Sequence, residues 1–140
     1  MEEEQSENYR DITIILNNFK VPSNIMGFEY IRSAVLACLE DEALTESITK
    51  CIYPYLSKLY DTNIQHIERN IRNAVDRSFE LKGMLALNEY CGMVVCNNEH
   101  KFTNGEMVFT VLEIMKIRRL KRINQQELEL ESVETAEELA

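Results

Sequence analysis

Four glycines and two prolines in 140 residues leave few places for the tight turns of a many-stranded sheet, so the composition favours helices. Tryptophan is absent, and only His66 and His100 could serve as general bases near neutral pH. Both histidines are explained as surface residues. There is no glycine-rich phosphate loop, no H-E-x-x-H and no G-x-S-x-G. Paired carboxylates occur only in charge runs, which are ordinarily solvated, so nothing recommends an enzyme.

Long apolar runs are also missing: none approaches a membrane span, and Met1 is followed by three glutamates rather than a secretory signal. The expectation is a cytoplasmic chain with no membrane association and free thiols at Cys38, Cys51, Cys91 and Cys96. Cys91, Cys96 and His100 form C-x4-C-x3-H, the wrong inner spacing for a common zinc motif and without an obvious fourth ligand. No metal or cofactor is expected.

What is present is an apolar fraction of 45%, enough to bury the core of one domain. The net charge of −9 looks hostile to nucleic acid, but it is unevenly spread. Residues 1–19 hold five acids and one base, and residues 123–140 hold six acids and no base. The middle keeps 14 bases against 13 acids. A binding surface is decided by such local charge rather than by the total. The division expected is a flexible acidic N-terminus (1–9), a folded domain (10–122) and an acidic C-terminal tail (123–140).

Helical spacing recurs along the folded part. Ile12, Ile15, Leu16 and Phe19 predict a helix from Arg10 to Lys20, stopped at Val21-Pro22, with Ser23 as a cap for the next. A second helix carries Ile31, Ala34, Val35, Cys38 and Leu39. Ser47–Tyr60 is helix-spaced, with Pro54 predicting a kink or break near Tyr53. Thr62 and Gln65 stand at capping-box spacing for a helix running to about Lys82, with Gly83 as its stop. Met84–Gly92 reads as a minor helix, and Met93–Cys96 as a strand or a packed segment. Thr103 and Glu106 repeat the capping-box spacing before a last helix carrying Val108, Val111, Leu112 and Met115. That helix passes through a basic cluster, Lys116–Arg122, into the acidic tail. The tail reads first as a disordered, solubilising extension; the alternative is that it attracts the cluster and restrains non-specific DNA binding.

On the helix beginning near Asn63, a turn of about 100° per residue puts Ile64, Ile67, Ile71, Ala74, Val75 and Ser78 on one side. Gln65, His66, Arg69, Arg72, Asn73, Asp76 and Arg77 fall on the other, with Glu68 at the margin. Arginine matches the two acceptors of guanine in the major groove, and asparagine or glutamine matches adenine. A polar outer face is also the norm for any surface helix, and Arg72 with Asp76 is an ordinary i,i+4 pair.

Ser47-Ile48-Thr49-Lys50, Tyr53-Pro54 and Glu68-Arg69-x-Ile71-Arg72-x-Ala74 together resemble the DNA-binding effector domain of the stage-zero sporulation response regulator. The resemblance extends through Val21-Pro22, Gly27-Phe28-x-Tyr30-Ile31-Arg32 and Lys101-x-Thr103-Asn104-x-Glu106, covering roughly residues 11–120. It implies an all-α, six-helix helix-turn-helix domain, winged-helix-like in kinship but without a clear wing. Ser47–Tyr60 would support a reading helix, Asn63–Lys82, in the major groove of double-stranded DNA. Residues matching Glu68, Arg69 and Arg72 face DNA in that family. Asn73 stands at the next contact position, where the family pattern differs, and His66 replaces a longer basic residue. Gln65 joins them from the helical projection, and Lys50 as a candidate phosphate contact.

The resemblance further implies transcription regulation in sporulation, and a homodimer or tandem dimer on DNA. About ten residues precede the first predicted helix, too few for the receiver domain that family members usually carry. An effector without its receiver is therefore expected, and with it an alternative role. Such a chain could pair with a receiver-bearing relative as an antagonist without binding DNA itself.

Overall fold

Each of the apolar series becomes the buried side of a helix. The structure, a computed structural model, describes residues 2–97 and 99–139. Six α-helices follow in order: α1 (Glu2–Asn18), α2 (Met26–Glu40), α3 (Tyr53–Leu59), α4 (Ile64–Glu80), α5 (Gly83–Cys91) and α6 (Asn104–Leu139). A 3-10 turn (Glu42–Glu46) and a π-type turn (Ile48–Ile52) link α2 to α3. No strand occurs among the described residues, so Met93–Cys96 is a packed segment. Asn88 holds it: its Oδ1 accepts from the Val95 and Cys96 backbone N–H groups, and its Nδ2 donates to the Cys96 carbonyl. No described helix is long and apolar enough to cross a membrane.

The core is one cluster in which α2 crosses α4 and is flanked by α1 and α6. Ile12, Ile15, Leu16, Ile31, Val35, Ile67, Ile71, Val108 and Val111 are wholly buried there. The α2–α4 crossing is close because Gly27 faces α4. A Cβ at Gly27 would lie 2.2 Å from the Asn70 carbonyl oxygen and 2.7 Å from the Ala74 Cβ.

A second close approach joins α5 to the end of α1. A Cβ at Gly83 would lie 1.8 Å from the Phe19 carbonyl oxygen, which also accepts the buried Ser78 hydroxyl. Gly83 is thus the first residue of α5, kept small by contact. The left-handed residue that ends α4 is Lys82 (φ 59°). Lys20 (φ 59°) does the same for α1, with Val21 N–H bonding back to the Leu16 carbonyl at 3.1 Å.

The two ends differ from the sequence reading. Helix α1 begins at Glu2 rather than Arg10, so the acidic segment is helical. Its acids meet the basic cluster of α6: Glu4 pairs with Arg119, and Glu7 and Asp11 pair with Arg122. Helix α6 continues unbroken to Leu139, carrying the tail acids away along its own axis. A straight helix cannot fold them back on the cluster that precedes them. The first cap also moves. Ser23 does not cap α2, whose N-terminal flank is Ile25 without a side-chain bond.

The capping box before α6 forms as its spacing predicts. Thr103 N–H donates to Glu106 Oε1 at 3.0 Å, and Glu106 N–H donates to the Thr103 hydroxyl at 3.1 Å. The backbone bond from Thr103, with smaller help from His100, holds the Glu106 carboxyl below its ordinary pKa.

Two stability outcomes follow from these contacts. Gly27→Ala should cost about 1–3 kcal/mol in urea unfolding, since a methyl group is forced against a backbone carbonyl. Wild-type stability here would show that α2 has room to retreat from α4. Glu106 has a depressed folded pKa, so its stabilisation is complete above the unfolded pKa and is lost as pH falls through the folded one. The stability gap between wild type and Glu106→Gln should therefore narrow below about pH 4. A gap unchanged with pH would remove the charged cap from the account of α6.

Candidate nucleic-acid interface

The sequence sets the helix pair α3–α4 by three local devices. Ser47 begins the first member, its hydroxyl accepting from Lys50 N–H at 3.0 Å. Pro54 then falls in the first turn of α3, preceded by the wider π-type turn, in which Ile52 N–H reaches back five residues to the Ser47 carbonyl at 3.2 Å. A proline ring collides with the carbonyl four residues earlier in a regular helix, and the widened turn relieves that collision. The irregularity expected near Tyr53 is this turn.

The connection to α4 is short and bonded at both ends. Asp61 takes a left-handed conformation (φ 50°). Thr62 N–H donates to the Ser57 carbonyl at 3.0 Å, and the Ser57 hydroxyl donates to the Thr62 carbonyl. Asn63 caps α4, its Oδ1 accepting from His66 N–H at 2.8 Å. The cap is one residue later than the Thr62–Gln65 spacing suggests, because Thr62 is committed to Ser57.

Behind α4, Asn104 joins three helices. Its Nδ2 donates to the Tyr53 hydroxyl and to the Glu68 carbonyl oxygen, both at 3.0 Å. The first residue of α6 thereby fixes the start of α3 and the middle of α4. Tyr53 is buried, and that burial pushes its hydroxyl pKa up.

With its rear face packed, α4 has a defined outer face. Ile67, Ile71, Ala74, Val75 and Ser78 are buried. Ile64 is exposed, contrary to its place in the helical projection, because packing against the core begins only at Ile67. Gln65, Arg69, Arg72 and Asn73 lie together on the exposed side. Arg69 sits almost opposite the buried stripe and has no ion-pair partner among the described residues.

Several of the residues singled out by sequence have more particular settings. Glu68 forms an ion pair with Arg72, one turn along, so the Arg72–Asp76 pair does not form. Asp76 instead meets Lys101 Nζ at 3.0 Å. His66 is half-buried, its ring edge-on to Tyr30 at 5.9 Å between centroids, which places it at the margin of the strip. Lys50 is exposed on the π-type turn, apart from α4. Lys101 and Asn104 were seen in the sequence only as motif members. A lysine near an aspartate 25 positions earlier leaves no local signal.

The arrangement presents hydrogen-bond donors suited to base edges on a helix held from behind by a helix-turn-helix frame. Matching to known families agrees with it. The family described as "Sporulation initiation factor Spo0A C terminal" matches residues 12–115, from the first wholly buried residue of α1 to the last buried residue of α6. Most of the chain lies within that match, and the chain belongs to this family of DNA-binding, transcription-regulating domains of the sporulation initiation factor, which is not an enzymatic family.

Proposed function

We propose that this chain binds double-stranded DNA sequence-specifically as a transcription regulator, with α4 seated in the major groove. The observation that carries the reading is the exposed strip Gln65, Arg69, Arg72 and Asn73 on a helix fixed by Gly27, Asn104 and Ser78. Arg69 and Arg72 are suited to guanine, and Gln65 and Asn73 to adenine. Glu68 orients Arg72 through their ion pair and can itself accept from a cytosine amino group. Lys50 is suited to a phosphate, and His66 to the flank of the groove. A phosphate contact positions the protein without reading sequence.

The strip and the phosphate contact give different signatures. Arg69→Ala and Arg72→Ala should each lose about 1–3 kcal/mol of specific binding, and relax preference at one base position. Lys50→Ala should weaken target and scrambled duplex alike and flatten the salt dependence by about one ion. The measurement is titration of labelled target and scrambled duplexes across a salt series. Discrimination left intact in both arginine variants would count against α4 as the reader.

A further inference from the structure

More than half of α6 lies beyond the packed core. Residues 119–139 are exposed throughout, well beyond the last buried residue, Met115. Leu120 is 61% exposed, Ile123 44%, Leu130 63% and Val133 54%. These four fall on one side of the helix by the 100° step. Little within the chain favours a projecting helix of this composition. Glu127 with Glu131 and Glu134 with Glu138 are like-charge i,i+4 pairs, which destabilise a lone helix.

The segment has an internal symmetry that a second, oppositely directed copy would satisfy. Leu120 and Val133 are placed symmetrically about the midpoint between Gln126 and Glu127, and so are Ile123 and Leu130. The same midpoint relates Lys116 to Glu137, Arg119 to Glu134 and Arg122 to Glu131. We propose that the projecting part of α6 pairs with the same segment of a second copy, antiparallel, about a two-fold axis at Gln126–Glu127. Leu120 then meets Val133 of the second copy, Ile123 meets its Leu130, and Lys116, Arg119 and Arg122 each meet an acid, every contact occurring twice.

Charge decides the direction. A parallel pair would set six acids of one tail beside the same six of the other, and the basic clusters beside each other. The antiparallel pair replaces both repulsions by attraction. Glu4, Glu7 and Asp11 already contact Arg119 and Arg122, but these are mostly exposed pairs, and a guanidinium has donors enough for a second carboxylate. The surface is therefore specific to a second copy of this chain, and separate from the strip on α4.

The test uses the whole chain, by sedimentation or light scattering over a concentration series, with cross-linking to set direction. The wild type should dimerise, more weakly in high salt. Glu131→Lys, Glu134→Lys and Glu137→Lys combined should weaken dimerisation by more than about tenfold, the sum of several small pairs reversed. Gln126→Cys should cross-link between copies on oxidation. Val133→Cys should not, because its two copies lie about 20 Å apart along the axis when antiparallel. A monomeric wild type at every concentration, a charge-reversed variant that dimerises as well as the wild type, or efficient cross-linking at Val133 would each overturn the proposal.

Discussion

The crossing of α2 over α4 at Gly27 governs the rest of the molecule. Here a helix backbone comes within contact of a carbonyl and a methyl group on its neighbour, with no side chain between. Such an approach fixes distance and rotation together, because a shift of either helix opens a void or produces a collision. Tyr30 and Ile31 of α2 then fill the space beside it, and Ile67, Ile71 and Ala74 of α4 have one way to face. The outer strip is consequently determined from inside.

Most residues that carry the family resemblance serve this frame rather than the exposed side of α4. Gly27 sets the crossing, and Tyr53 and Asn104 tie α3 and α4 to the start of α6. Thr103 and Glu106 cap that start. Arg32, nearly buried, donates to the Thr13 hydroxyl of α1 at 3.1 Å and lies 4.0 Å from the centre of the Tyr9 ring. Only Glu68, Arg69 and Arg72 of the quoted motifs lie on the outer side of α4. A family pattern spread over the chain therefore says more about how α4 is held than about what its outer side contacts.

The helical parts were legible because burial imposes a period, and the period survives in the sequence at Ile12–Phe19, Ile31–Leu39, Ile67–Val75 and Val108–Met115. The Thr103–Glu106 box was legible because both partners lie within four residues. What escaped depends on competition or on distance. Thr62 lost the cap to Asn63 because Ser57 holds it, and Arg72 turned from Asp76 to Glu68 while Lys101 took Asp76. Gly83 looked like a helix stop, but its smallness answers to Phe19, 64 residues away. Segment 2–9 has no apolar period of its own. Its helix extends α1, and acidic side chains near Arg119 and Arg122 hold it.

A chain of net charge −9 can belong to a DNA-binding family because many of its acids are paired or lie far from the exposed side of α4. Two acids of α4, Glu68 and Asp76, are paired with Arg72 and Lys101. Glu4, Glu7 and Asp11 face Arg119 and Arg122. Six more lie on the projecting part of α6, whose first residue is bonded to the Glu68 carbonyl. From Asn104 to Glu127, the first of the six, an α-helix rises about 35 Å. Charges in water are screened over about 8 Å at physiological salt, so the tail contributes little potential at the strip. Long-range repulsion from the tail is thus reduced by geometry, and Arg69, without an ion-pair partner among the described residues, keeps its charge on the exposed side of α4.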